Sequence, residues 1–158
     1  MAIASVSLLL VMCILVGYLF LTAEVQIINI SAQGIPVQND MVTFEKLKKS
    51  IEEESFYGTL YQKPLEWKDA SEYVWLKYDI TVRNNCLVPV DMLEVQVVPQ
   101  TSDILQMPDL QVKSLELKSD GTISAQILAP KDTHPVRELI VTYYLWGVSG
   151  NLKAVYGQ

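Results

Sequence analysis

YVWLKYDITVRNN, residues 73–85, alternates strictly: Val74, Leu76, Tyr78, Ile80 and Val82 fall on one side, and Tyr73, Trp75, Lys77, Asp79, Thr81 and Arg83 on the other. A period of two is the signature of a β-strand with one buried face, whereas a helix would spread those five apolar residues around its circumference. Burying such side chains is worth about 1.5–3 kcal/mol each, so the inward set sums to roughly 10 kcal/mol, comparable with the net stability of a whole domain. The stretch is therefore a core strand, and the rest of the chain must supply what covers it.

Working outward, LVPVDMLEVQVVP resumes after the turn-tolerant Asn84-Asn85-Cys86 and places Leu93, Val95 and Val97 opposite Glu94 and Gln96, with Pro89 and Pro99 as brackets. LQVKSLELKS alternates less regularly, with Leu115 and Leu117 on one face and a bulge expected near Ser114. Asp120-Gly121 is the strongest hairpin signal, and TISAQIL follows it with Ile123, Ala125 and Ile127 inward. VRELIVTYYLWG is apolar enough on both sides to be a central strand, and LKAVY closes the chain as a short final one. Upstream, EVQIINIS reads as a first strand and residues 33–40 as a loop. Within TFEKLKKSIEEE, Phe44, Leu47 and Ile51 form a narrow stripe on a short helix opened by Asp40 or Thr43, with Glu45 spaced to pair with Lys49. FYGTLYQ is a short strand candidate, and the connection over residues 101–109, with Ile104, Leu105 and Met107, is another, at a sheet edge. Six to eight strands about ten residues apart, with one minor helix, predict a mainly β, antiparallel, immunoglobulin-like sandwich spanning residues 24–158.

Residues 1–23, MAIASVSLLLVMCILVGYLFLTA, carry no charge, so all 12 basic and 18 acidic groups of the 158-residue chain lie beyond them. As a helix this run would reach ~34 Å, enough for ~30 Å of hydrocarbon. A cleaved signal peptide fits less well, because no Lys or Arg precedes the run and Leu21 stands before Ala23. A lipoprotein signal fits poorly too, with Met12 ahead of Cys13. The segment reads as a transmembrane signal-anchor helix that contacts membrane lipid, in a single-pass arrangement with the domain on the extracytoplasmic side. The mean hydropathy of +0.22 owes much to this segment.

The run ITVRNNCLVPVDMLEVQVVP, followed by LELKSDGTISAQILAP and RELIVTYYLWG, resembles small immunoglobulin-like domains of the FxLYD and late-embryogenesis LEA14 families over residues 72–147. The resemblance implies a β-sandwich. It carries no functional residue across, and the FxLYD signature itself is absent from this chain.

Chemistry is sparse. The net charge of −6 and a lone basic cluster at Lys46, Lys48 and Lys49, backed by Glu52–Glu54, argue against nucleic acid as a partner. Cys13 and Cys86 lie in different segments and make neither a disulfide framework nor a metal site. His134 is the single histidine, in a proline-flanked loop, and Gly147-Val148-Ser149-Gly150 stops short of a nucleophile elbow. Asn29-Ile30-Ser31 has the form of a glycosylation sequon but falls inside a strand. The reading is of a non-enzymatic chain with no catalytic, metal or cofactor residues. Tyr73 and Trp75, with Trp67 nearby, form an aromatic group that is either an interaction surface or is covered by the helix from Thr43 or the segment through Trp67. The expectation is a structural or protein-interaction subunit of a cell-envelope complex; the alternative is a pilin-like subunit that self-assembles through its N-terminal helix.

Overall fold

The computed structural model describes residues 2–109 and 113–157, with side chains from residue 5 onward. Helix α1 (Ala2–Leu21) leads into strand β1 (Val25–Pro36); a 3₁₀ turn then opens α2 (Met41–Glu52). The strands that follow are β2 (Thr59–Leu60), β3 (Tyr73–Asn84), β4 (Val90–Val97), β5 (Leu105–Gln106), β6 (Lys113–Leu115), β7 (Asp120–Pro130), β8 (Arg137–Leu145) and β9 (Val148–Tyr156). They form two antiparallel sheets, one ordered β1-β3-β7-β5-β2 and the other β6-β4-β8-β9.

The expected core strand is β3, between β1 and β7. Leu76, Tyr78, Ile80 and Val82 point into an apolar cluster shared with Ile123, Ala125 and Ile127 of β7, Leu93, Val95 and Val97 of β4, and Leu139 and Val141 of β8. That cluster joins the two sheets. The opposite side of β3 is covered at its start: Tyr73 and Trp75 belong to a second cluster with Phe44, Leu47 and Ile51 of α2 and with Leu105 and Leu128. The stripe read from the sequence is thus the docking face of α2, and Asp40 caps the helix by accepting a hydrogen bond from Thr43 N at 3.1 Å.

Several boundaries differ from expectation for physical reasons. β1 continues through residues 33–36, expected as a loop, because Gly34 and Pro36 sit on an edge strand where only one side needs ladder bonds. Asp120 and Gly121 begin β7 rather than turning it: the turn is at Leu117 and Lys118, with Lys118 at φ +54°, and Asp120 instead holds Arg83 through two hydrogen bonds of 2.8 Å. Leu117 is consequently exposed while Leu115 is buried. The β4–β6 register does shift opposite Ser114, between the Val90–Leu115 and Leu93–Lys113 pairs, but the extra residue lies on β4, where Met92 is at φ +52°. β5 lies between β7 and β2, inside its sheet rather than at the edge. Glu45 pairs with Lys48 at 2.8 Å, and Lys49 with Glu53 at 3.7 Å, in place of the expected Glu45–Lys49 pair.

Helix α1 begins and ends close to the expected limits, and its described side chains, residues 5–21, are exposed almost throughout. Among the described residues no helix is long and apolar enough to cross a membrane.

Buried polar groups tie the sheets together away from α1. Arg137 at the start of β8 forks onto Asp103, at 2.8 and 2.6 Å, with both side chains sealed from solvent. The remaining Arg137 nitrogen donates to the His134 and Val136 carbonyls. Gln106 of β5 accepts from Val97 N and donates to Val95 O of β4, both at 2.9 Å, and Tyr61 OH donates toward Val97 O and Gln106 Oε1.

Removing one member of a buried ion pair strands the other charge, so Arg137→Met or Asp103→Leu alone should cost about 3–5 kcal/mol in denaturant unfolding, whereas the double variant should recover most of that loss. Burial, with the Asp103 carboxylate second, raises the Tyr61 phenol to about 12, and burial foremost raises Tyr78 to about 12. A folded pKa above the unfolded value near 10 means stability that is complete below pH 10 and is lost as pH rises through 12. Ultraviolet titration should show these two tyrosinates forming last, together with alkaline unfolding.

Candidate functional site

The three aromatic residues singled out from the sequence are brought together, but inside the protein. Trp75 is 2% exposed and Tyr73 6%. Phe44 of α2 meets Trp67 edge-on at 5.7 Å and Tyr73 at 5.5 Å, and the Trp67 and Tyr73 rings stand 6.1 Å apart. The Tyr73 hydroxyl accepts a hydrogen bond from Lys68 N at 3.1 Å, which satisfies its polar end. Of the two readings of this face, the geometry is that of a covered one: α2 and the half-buried Trp67 fill the space a partner would use.

Among the described residues, no group of three His, Cys, Asp or Glu side chains is placed to hold a metal ion. His134 is exposed, and its carbonyl, not its imidazole, is engaged by Arg137. The Arg137–Asp103 pair spends its donors and acceptors on the protein itself. Cys86 is buried beside Glu24, with its sulfur 3.6 Å from the Glu24 carbonyl, and Cys13 lies on the exposed surface of α1.

An open groove lies where the two sheets end side by side. β1 terminates the first sheet and β9 the second, and each is laddered to a single neighbour, β3 and β8 respectively. Between them runs an open groove of about 810 Å³, walled by residues 25–30 on one side and 152–157 on the other. Its lining is mixed: Ile27, Ile30, Leu152 and Tyr156 pack onto the main core, the Tyr156 ring meeting Tyr78 at 6.0 Å, while Gln26, Asn29 and Lys153 share the walls. Its rims carry Ile28, 41% exposed, and Val155, 39% exposed. The free edges are not bare: a register shift between Ile27 and Asn29 bulges β1, and Lys153 stands on β9 within 3.7 Å of Glu138. Bulges and lysines on an edge strand discourage indiscriminate pairing.

This groove was not legible in the sequence. β9 reads only as the short segment LKAVY, yet it runs nine residues from Val148, and the approach of β1 to β9 follows from how the two sheets close. The signal available was modest: edge-strand composition in EVQIINIS and in the last strand, polar on alternate residues. No protein-family model matches this chain, and no curated protein matches it.

Truncating Phe44 to Ala should cost about 3–5 kcal/mol and uncover the aromatic layer. Tryptophan emission from Trp67 and Trp75 should shift to the red under conditions where far-ultraviolet dichroism still reports the sheets.

Proposed function

We propose that this chain is a membrane-anchored, non-enzymatic binding module: an immunoglobulin-like β-sandwich held on the extracytoplasmic side of a membrane by α1, serving as an interaction subunit of an envelope complex.

Two features support it. Helix α1 has 20 residues and no charged side chain, and its described surface is apolar and exposed on nearly every side. An all-round apolar helix needs a non-aqueous environment. At 1.5 Å per residue the stretch with described side chains rises ~25 Å, and the charge-free Ala2, Ile3 and Ala4 before it extend the run toward the ~30 Å of the hydrocarbon layer. The second feature, which carries the binding role, is the β1–β9 groove. An extended segment laid in it would pair its backbone with a free strand edge and set alternate side chains against Ile27, Ile30, Leu152 and Tyr156, the strand-addition mode of recognition. The partner that fits is an extended peptide with apolar residues at every second position.

A filament-forming reading draws on one observation as well, because an exposed apolar helix could equally be buried by copies of itself.

The test compares the full chain, purified in mild detergent, with an Ile28→Lys/Val155→Lys variant. Both positions are exposed, so the variant should keep its fold to within about 0.5 kcal/mol. The wild-type chain should resist alkaline extraction from membranes and bring down a defined partner set that the variant loses. A variant that keeps the partners would overturn the groove assignment; recovery of a homopolymer would favour the filament reading; a chain that leaves the membrane without detergent would remove the anchor.

A further inference from the structure

We propose that the pole of the domain from which α1 emerges is itself a lipid-contacting surface, with three loop tips seated in the headgroup region of the bilayer. The inference rests on the anchor reading above and adds to it: the domain sits down on the membrane in one orientation instead of swinging from its helix.

Strand register collects the loops at that pole. Val25 at the start of β1 pairs with Asn84 at the end of β3, Arg83 with Asp120 at the start of β7, and Asp91 near the start of β4 with Tyr144 near the end of β8. The loops after β3, before β7 and between β8 and β9 therefore all surround the exit of α1. A hydrogen bond draws the first of them against it, Asn85 N donating to Glu24 O at 2.9 Å, and Lys118 Nζ ties the second loop to the first by donating to Asn85 O. Each loop raises a large apolar side chain into the open: Leu87 is 53% exposed, Leu117 51% and Trp146 49%, with Val148 beside it at 56%.

Trp146 is the most informative of these. It occupies the first position of the two-residue turn between β8 and β9, at φ +50°, followed by Gly147 at φ +79°. Two consecutive positive φ values match a tight hairpin whose first position favours Asn, Asp or Gly. A bulky aromatic there is held in a conformation that disfavours it, and backbone strain of this kind concentrates at functional positions. Its ring meets Phe20, in the last turn of α1, edge-on at 5.3 Å. With α1 in the bilayer, that contact sets Trp146 at the level where the helix leaves the hydrocarbon, the depth at which tryptophan partitions. Tyr18, 58% exposed on the same helical turn, lies at a similar depth.

Charge does not choose the lipid. The groups at this pole are mixed in sign, Lys118 and Arg83 against Glu24, Asp91, Glu116 and Asp120, and Arg83 is already held by Asp120. The occupant is therefore the bilayer interface in general, with zwitterionic lipid sufficient.

The full chain reconstituted into phosphatidylcholine vesicles whose acyl chains carry bromine tests this directly. Trp67 and Trp75 lie in the aromatic layer beneath α2, next to the start of β3 and so at the opposite pole, and serve as internal references. Relative to unbrominated vesicles, the wild-type chain should lose most of the emission that Trp146 contributes, more with bromine near the headgroup than near the chain end. Trp146→Phe should show no loss beyond background, and Leu87→Asp/Leu117→Asp should show a reduced one. Equal emission in both kinds of vesicle, from a chain that co-floats with them, would overturn the proposal and leave the anchor standing. A chain that fails to co-float would overturn both.

Discussion

Burial of β3 on two sides is the constraint on which the rest of the structure depends. Its even-numbered residues from Leu76 to Val82 need the second sheet, and its opening pair, Tyr73 and Trp75, needs a cover on the other side. One strand therefore has to be met by two different partners. The second sheet supplies β4 and β8 to the first face, and α2 reaches the other only because β1 carries the chain along β3 and releases it at Pro36, beside the start of that strand. Farther along β3 the outward residues become Lys77, Asp79, Thr81 and Arg83, which need no cover and have none from α2. The helix is short because the apolar patch beneath it is short.

The polar interior shows how two sheets with a greasy interface are held in one register. Apolar contact is non-directional and tolerates sliding, whereas hydrogen bonds do not. Gln106 reaches from the first sheet to two backbone groups of β4, Tyr61 adds a third link, and Arg137 fastens the start of β8 to the loop carrying Asp103. At the pole near α1 the same work falls to Asn84, whose side chain donates to the carbonyls of Val88 and Glu116 at 2.9 Å and accepts from Cys86 N at 2.8 Å. No buried side-chain nitrogen or oxygen among the described residues is left without a partner. Stabilisation by such groups is modest, but their alternative arrangements are costly, which favours one packing over its neighbours.

With the ends fastened, the long side between β1 and β9 is where the structure stays open. The proposed anchor and the proposed lipid-facing loops act at one end, and the groove runs from that end along the domain. Under the proposed anchor, a partner lying in the groove would be held at a fixed height and angle to the bilayer.

Local periodicity was sufficient for much of this. The alternations in β3, β4, β7 and β8, the helical stripe Phe44–Leu47–Ile51 and the charge-free run that becomes α1 are written in neighbouring residues, because side-chain direction repeats every two residues in a strand and every 3.6 in a helix. What depended on contacts distant in sequence could not be read that way. Whether Tyr73 and Trp75 faced a partner or a helix turned on where α2 landed; Asp120-Gly121 became strand because β3 extends far enough to ladder Arg83 with Asp120 and Val82 with Gly121. Asp103 and Arg137 look like surface charges until their pairing is seen, and the groove exists only because two strands from opposite ends of the domain become the adjacent edges of different sheets. A residue's neighbours along the chain set its local geometry, but its solvent exposure is decided by the elements that pack over it, and function at a surface follows exposure.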